Sequence, residues 1–139
     1  MCLQSDFLDA HERHRRDAEF LNQAHRWANA DHLYGIAAEC GLKHLMMVFG
    51  MEVDSLGKPI IREDRMHADG IWKRFESYRS GYRQGTGYAL PAENPFHDWN
   101  ISDRYAHQSN FNQSRTQSHQ AGVQMVCGLI KKAQKDGLI

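Results

Sequence analysis

The sequence has few of the residues that interrupt helices or crosslink a chain. Its 139 residues include three prolines and three cysteines, and no run approaches the roughly 20 apolar residues of a membrane-spanning helix. Because Cys2, Cys40 and Cys127 are odd in number and widely spaced, they indicate reduced, buried side chains and no disulfide framework. The first residues also lack the charged and apolar regions of a signal peptide. We therefore expect a cytoplasmic protein with no membrane contact.

An excess of charge of either sign is also absent. Lys plus Arg and Asp plus Glu number 17 each, so the formal net charge is zero and any contact with nucleic acid must come from a local patch. The chain is rich in histidine, with nine residues whose side chains titrate near neutral pH. At this length we expect one ordinary domain, residues 1–139.

The longest apolar stretch runs from Asn29 to Phe49 and predicts a helix at the centre of the fold. Apolar residues occupy two of its faces, and a helix that is apolar nearly all round belongs inside a bundle. Asn29 or Asp31 is expected to cap its start. Glu39 and Lys43 have the spacing of a helical ion pair. Small residues would let neighbouring helices approach this helix closely; they are Ala30, Gly35, Ala37, Ala38 and Gly41.

Three further helices are predicted around this central one. They run from about Ser5 to Trp27, from His67 to about Arg79, and from near Gln113 to near Lys135. A short break at Ala28–Ala30 predicts that the first two helices form an antiparallel hairpin. The segment from Ser80 to about His97 is rich in glycine, and a loop of this length is usually functional or disordered. The predicted fold is an all-α, four-to-five-helix up-and-down bundle with a long loop before the last helix.

Two groups of residues resemble HEPN domains. The first lies in the predicted hairpin and comprises Ala30-Asp31-His32-Leu33-Tyr34, Ala37-Ala38-Glu39-Cys40 and Leu42-Lys43. The second is the W-x-I-x-x-R-Y segment from Trp99 to Tyr105, which follows the third helix. The resemblance implies a small helical bundle that is commonly homodimeric. It also implies binding of RNA or a nucleotide, or metal-independent RNase activity in a toxin–antitoxin or other defence system.

The RNase members of that family carry an arginine followed, after roughly four to six residues, by a histidine. In such a pair the histidine moves the 2′-OH or leaving-group proton, and the arginine stabilises charge on the phosphate. Arg104 and His107 occupy the corresponding place with two residues between them, and the resemblance implies that they are the catalytic pair. Two other pairs fit the pattern in part: Arg62 and His67 have four residues between them but precede the third helix, and Arg115 and His119 have three residues between them within the last helix. Arg62 and His67 remain candidate ligand-binding residues.

We expect the ligand site to lie where the long loop meets the last helix. Trp99 or Tyr105 could stack on a base while Arg104 contacts a phosphate through both of its terminal nitrogens. The alternative is that Arg104 is a structural anchor held by an acid such as Asp98 or Asp103. Both interpretations remain open at this point.

Two other classes of protein also remain open. A catalytically silent, dimeric interaction module, such as the antitoxin or partner subunit of a two-gene system, would suit the neutral net charge. A DinB-like bundle would instead bind a divalent metal through converging histidines, for which the candidates are His11, His14, His44 and His119. No C-x-x-C, H-E-x-x-H or Glu-x-x-His string supports a metal site, so we expect no metal or other cofactor.

Overall fold

One buried helix organises the computed structural model, which describes residues 2–139. The four long helices are α1 (Phe7–Gln23), α2 (Trp27–Val48), α3 (Ala68–Arg79) and α4 (Gln113–Lys135). Because α2 packs against each of the other three, it is the central helix that its apolar faces predicted. The prediction of an all-α bundle with a long segment before the last helix is confirmed. None of the helices in residues 2–139 has the length and apolar character needed to cross a membrane.

Small residues of α2 allow its neighbours to approach closely. A Cβ atom added to Gly35 would overlap the indole of Trp99. A Cβ atom added to Gly41 would lie 2.6 Å from Nδ1 of His11 and 2.6 Å from Cγ1 of Val126. Since atoms cannot approach so closely without displacement, these glycines are what lets α1, α4 and the long loop pack onto α2.

The bounds of α3 and α4 agree closely with those predicted. His67 is the N-cap residue of α3, and α4 begins at Gln113 and ends at Lys135. The side chain of Asn112 accepts a hydrogen bond from the backbone N–H of Arg115, which satisfies one free donor of the first turn of α4. Local sequence signals were sufficient for both helices.

The predicted break between the first two helices was wrong by about four residues. The break was expected at Ala28–Ala30, whereas α1 ends at Gln23 and α2 begins at Trp27. Asn29 and Asp31 therefore lie inside α2 and do not cap it. The N-cap residue is Arg26, whose side chain makes no capping hydrogen bond. Asp31 is engaged in tertiary contacts, described below, that helix capping rules do not consider.

The turn between α1 and α2 has the hydrogen bonds of a Schellman motif. The N–H of Arg26 donates to the carbonyl of Leu21 at 2.9 Å, and the N–H of His25 donates to that of Asn22 at 3.0 Å. His25 has φ +58°, and it is the one residue other than glycine in the described range with positive φ. Glycine or asparagine usually occupies this position because a larger side chain is strained there. The chain thus places a histidine where glycine would be less strained.

Buried polar and aromatic side chains attach the connecting segments to the bundle. The carboxylate of Asp64, in the 3-10 helix Arg62–Arg65, accepts hydrogen bonds from Nε of Arg74 at 2.6 Å and from the hydroxyl of Tyr78. The long segment before α4 contains further 3-10 helices at Arg83–Tyr88, Ile101–Tyr105 and Gln108–Asn110. Its buried aromatic side chains are Tyr88, Phe96, Trp99 and Phe111. Most residues of the predicted loop are exposed, and a few buried side chains, among them Tyr88 and Phe96, attach it to the bundle.

Candidate functional site

A network of charged side chains joins α2, α4 and the segment before α4. His119 of α4 and Asp31 of α2 are almost fully buried, at 0% and 1% exposure. Nδ1 of His119 donates to Oδ1 of Asp31, and Nε2 donates to Oδ1 of Asp98 at 2.8 Å. Because ionised carboxylate oxygens only accept hydrogen bonds, both ring nitrogens must carry protons. The geometry therefore fits the imidazolium form of His119.

Arg115 completes this network from one turn earlier on α4. Its Nη2 donates to the carbonyl of Asp98 at 2.6 Å and to Oδ2 of Asp103 at 3.1 Å. Its Nε lies 3.5 Å from Oδ2 of Asp31. The acid-held arginine that the sequence analysis considered for Arg104 is thus Arg115. The positive charges of Arg115 and His119 together offset the repulsion among the carboxylates of Asp31, Asp98 and Asp103.

The network shifts the pKa values of its members. Burial alone would lower the pKa of His119, but the hydrogen bonds and negative charges of Asp31 and Asp98 outweigh it and raise the pKa above its ordinary value. For Asp98, burial would raise the pKa, but the hydrogen bond and charge of His119, with the charge of Arg115, lower it. Both directions favour the ionised forms, as expected for a paired, partly buried cluster.

Trp99 is part of the same structural core. It is 2% exposed, and its indole N–H donates to the carbonyl of Asp31 at 3.1 Å. Its ring packs on Gly35 and stacks with His32, with ring centroids 6.0 Å apart. This burial contradicts the expectation that Trp99 stacks on a base, because its ring faces are already in contact with the protein.

An open cleft lies between the α1–α2 turn and the segment that leads into α4. Its volume is about 660 Å³, and Arg104 and His107 line one side of it. The opposite side is formed by the turn and the first residues of α2, and includes His25, Arg26, Trp27, Ala28 and Asn29. The structure thus brings the predicted pair together with residues from the other end of the sequence.

Neither arginine of this cleft is neutralised by a carboxylate. Within residues 2–139, Arg26 and Arg104 form no ion pair, and both are exposed. Nη1 of Arg104 donates to the carbonyl of Ile101 at 3.2 Å, and its guanidinium lies 4.7 Å from the ring centroid of Tyr105. Asp103, the acid in the cleft lining, is paired with Arg115. The cleft therefore has an excess of positive charge.

His107 is oriented by its own turn. Nδ1 accepts a hydrogen bond from the backbone N–H of Ser109 at 3.2 Å and lies 2.9 Å from the Ser109 hydroxyl. Since Nδ1 is an acceptor, the neutral ring carries its proton on Nε2. His107 can therefore exchange a proton with a ligand through Nε2 while the turn holds the ring.

Residues of the α1–α2 turn that line the cleft were not predicted from the sequence. His25 and Trp27 stack with ring centroids 5.3 Å apart and an interplanar angle of 18°. They had been assigned to the end of the first helix, where aromatic residues are ordinary packing residues. The signal that could have found them is the string His25-Arg26-Trp27, in which a basic residue stands between two aromatic rings at a helix junction.

The remaining candidate residues lie outside the cleft. Nδ1 of His67 contacts Oε1 of Glu39 at 2.9 Å, and this hydrogen bond is the main reason that the pKa of His67 is raised. Glu39 also accepts from Nζ of Lys43 at 2.9 Å, which confirms the predicted helical ion pair. Arg62 is exposed in its 3-10 helix. Tyr105 is 79% exposed beside Arg104 and does not line the cleft.

The histidines proposed for a DinB-like metal site do not converge. Nδ1 of His11 lies 2.8 Å from the carbonyl of Ala37, whereas His119 is bound to two aspartates. Within residues 2–139, no three His, Cys, Asp or Glu side chains are grouped so as to hold a metal ion. His11 is buried in the core and His44 is half-buried, and burial lowers the pKa of both.

The fold and the site together define an all-α helical bundle with a buried histidine–carboxylate network and an open, arginine-lined cleft. No protein-family model, curated protein sequence or solved structure matches the chain. The cleft is therefore the feature of the molecule that bears most directly on function.

Proposed function

We propose that the protein is a HEPN-like protein that binds RNA or a nucleotide in the cleft between the α1–α2 turn and the segment that contains Arg104. The observation that carries this proposal is the presence of Arg26 and Arg104 on the two sides of one cleft, without a carboxylate partner in the described chain. Two arginines without acidic partners attract an anionic ligand, and their planar guanidinium groups match the geometry of phosphate oxygens.

Other features of the cleft support a phosphate-bearing ligand. The volume of 660 Å³ falls within the roughly 300–1,000 Å³ range of small-molecule sites. Trp27, Ala28 and Asn29 are the first residues of α2, and no side chain caps this helix start. Backbone N–H groups at a helix start favour negative charge, so they would add to the attraction of the arginines.

RNA cleavage is the more specific form of this proposal. Arg104 and His107 line the same side of the cleft, and His107 has Nε2 available for proton transfer. In a metal-independent reaction, histidine would transfer the 2′-OH or leaving-group proton while arginine stabilises charge on the phosphate. Binding without cleavage would limit the protein to an RNA- or nucleotide-binding role.

A dimeric interaction module is the second candidate, favoured by the surface of α4. The residues that this helix exposes from Gln113 to Gly128 are all uncharged, because Arg115 is turned into the network and His119 is buried. They are Gln113, Ser114, Gln117, Ser118, Ala121, Gln124, Met125 and Gly128. Depletion of charge is typical of protein–protein interfaces, and a second copy of the chain could cover this surface.

Binding of a fluorescently labelled single-stranded RNA, followed by anisotropy at low and high salt, tests the proposal. We expect Arg26→Ala and Arg104→Ala each to weaken binding roughly tenfold, as for loss of one charged hydrogen-bonding group. Arg83→Ala is the matched control, because it removes the same charge from an exposed residue far from the cleft. Arg83 follows Tyr82, whose ring packs on Phe49 at the C-terminal end of α2. The 22 residues of α2 place that position about 33 Å from the cleft.

The control separates a local site from general electrostatic attraction. Equal weakening by all three substitutions would contradict a site in the cleft, as would the absence of RNA or nucleotide binding by the wild-type protein at low salt. Gel analysis of the same RNA after incubation then distinguishes cleavage from binding. Cleavage that is lost in His107→Ala, with binding retained, would support the RNase form.

A further inference from the structure

Trp27 differs from the other two tryptophans of the chain. Trp72 and Trp99 are buried, and their indole N–H groups donate to the carbonyls of Pro91 at 3.2 Å and Asp31 at 3.1 Å. Trp27 is only partly buried, lines the cleft, and makes no side-chain hydrogen bond within the described part of the chain. Trp27 therefore keeps part of its ring available for contact with a ligand in the cleft, whereas the rings of Trp72 and Trp99 are covered by the protein.

The ring that stacks on Trp27 belongs to His25, a residue whose backbone conformation is strained. His25 is exposed, has φ +58°, and stacks on Trp27 at 5.3 Å between ring centroids. The Schellman turn needs only a residue that tolerates positive φ, and glycine does so with the least strain. Strained backbone conformations of this kind cluster at functional sites. The turn alone would be formed with less strain by glycine, and the chain instead places an imidazole in the lining of the cleft.

We propose that Trp27 and His25 form an aromatic platform on which one base of the bound RNA or nucleotide stacks. This inference rests on the proposed function, and it specifies that the cleft recognises the base as well as the phosphate. The platform stands beside Arg26 in sequence and opposite Arg104 across the cleft, so a base and its phosphate can be held at the same time. Stacking on aromatic side chains is tolerant of sequence because every base has a π-face. The platform is therefore expected to favour ligands that carry a base over simple phosphates.

Intrinsic fluorescence gives a direct test because one tryptophan is accessible and two are buried. The probes are an adenine hexaribonucleotide, AMP, and ribose 5-phosphate, which has the same phosphate and sugar as AMP but no base. We expect the hexanucleotide and AMP to quench tryptophan emission in a saturable way, and Trp27→Phe to abolish the quenching. Binding of the labelled hexanucleotide to Trp27→Phe, measured by anisotropy, should change by less than about threefold, since a phenyl ring still supports stacking.

Removal of the aromatic rings should weaken binding of the base-bearing probes alone. Loss of one base–aromatic stack corresponds to roughly 5- to 150-fold weaker binding, so Trp27→Ala should fall in that range for the hexanucleotide. His25→Gly is the second variant, chosen because glycine preserves the positive-φ turn, and it should also weaken hexanucleotide binding. Affinity for ribose 5-phosphate, measured by calorimetry, should be weaker than for AMP and unchanged in both variants. Circular dichroism and thermal unfolding check that each variant is folded.

The outcomes separate this inference from the proposed function. If Trp27→Ala and His25→Gly bind the hexanucleotide as the wild type does, while Arg26→Ala and Arg104→Ala do not, the cleft binds phosphates and the platform is wrong. Equal affinity of the wild type for AMP and ribose 5-phosphate would overturn the platform in the same way. If the wild type binds neither the hexanucleotide nor AMP, the proposed function and the platform both fail.

Discussion

His119 and Asp31 lie 88 residues apart in the sequence, yet Nδ1 of the imidazole donates directly to the carboxylate, and neither side chain is accessible to solvent. The other ring nitrogen donates to Asp98, so one imidazolium joins α4, α2 and the segment before α4. Arg115 contacts both of these acids and also Asp103, whose neighbour Arg104 lines the cleft. The buried network therefore fixes the part of the chain that presents Arg104.

Truncation of two arginines eleven residues apart is expected to change the free energy of unfolding by very different amounts. Arg115→Ala should lower the free energy of unfolding by about 2–3 kcal/mol; Arg115 is 24% exposed, so this is below the value for a fully buried pair. Arg104→Ala should change it by less than about 0.5 kcal/mol, because Arg104 is exposed and forms no ion pair in the described chain. Urea unfolding measures both. Comparable destabilisation by the two substitutions would show that Arg104 is also a structural anchor.

The stability contribution of His119 is expected to depend on pH. Because the pKa of His119 is raised from 6.5 in the folded state, its contribution is complete below pH 6.5 and is lost as pH rises through the folded-state pKa. The pKa of Asp98 is lowered from 3.8, so its contribution is present above pH 3.8 and is lost as pH falls through its folded-state pKa. The difference in unfolding free energy between the wild type and His119→Gln should therefore be largest between pH 3.8 and 6.5.

Urea unfolding at a series of pH values measures this difference, and a constant difference from pH 5 to pH 9 would argue against it. An NMR titration of the wild-type imidazole gives an independent check that does not require the variant to fold. The resonance of His119 should titrate above pH 6.5, and a midpoint at or below that value would contradict the network as described.

His25, the residue of the α1–α2 turn with positive φ, should be replaceable by glycine without loss of stability. His25→Gly relieves roughly 1–2 kcal/mol of backbone strain but adds about 0.5–1 kcal/mol of conformational entropy to the unfolded chain. The free energy of unfolding should therefore stay constant or rise by about 1 kcal/mol. His25→Ala is the matched control, since it removes the same imidazole and keeps the strain. Thermal unfolding in which His25→Gly is less stable than His25→Ala would show that the strain argument is wrong.

The protein is expected to form a homodimer through the uncharged surface of α4. Sedimentation equilibrium at roughly 10–50 µM should give twice the monomer mass if the interface has micromolar affinity or better. Ala121→Arg places a charge in the middle of that surface and should yield monomers. Gln134→Arg, an exposed position on the same helix beyond the surface, should leave the dimer intact. A monomeric wild type would exclude the dimer, and an Ala121→Arg dimer would place the interface elsewhere.

The helices were largely predictable from the sequence because their signals are local. The apolar spacing and the capping residue of α4 lie within the helix or next to it, and its predicted bounds are those observed. The central position of α2 followed from its apolar faces and small residues. The junction near His25 was misplaced because capping preferences favoured Asn29 and Asp31, whereas a residue with positive φ ended α1 earlier.

The partners of the charged and aromatic side chains were decided only by the tertiary structure. Arg104 and Arg115 have the same side chain, and Asp98 and Asp103 lie nearer in the sequence to Arg104. Packing of α4 nevertheless places Arg115 against these two acids. Likewise, the glycine at position 35 leaves space on α2 that Trp99 fills, while Trp27 stays in the cleft. Contacts between segments far apart in sequence depend on how helices pack, and the identity of the residues alone does not specify that packing.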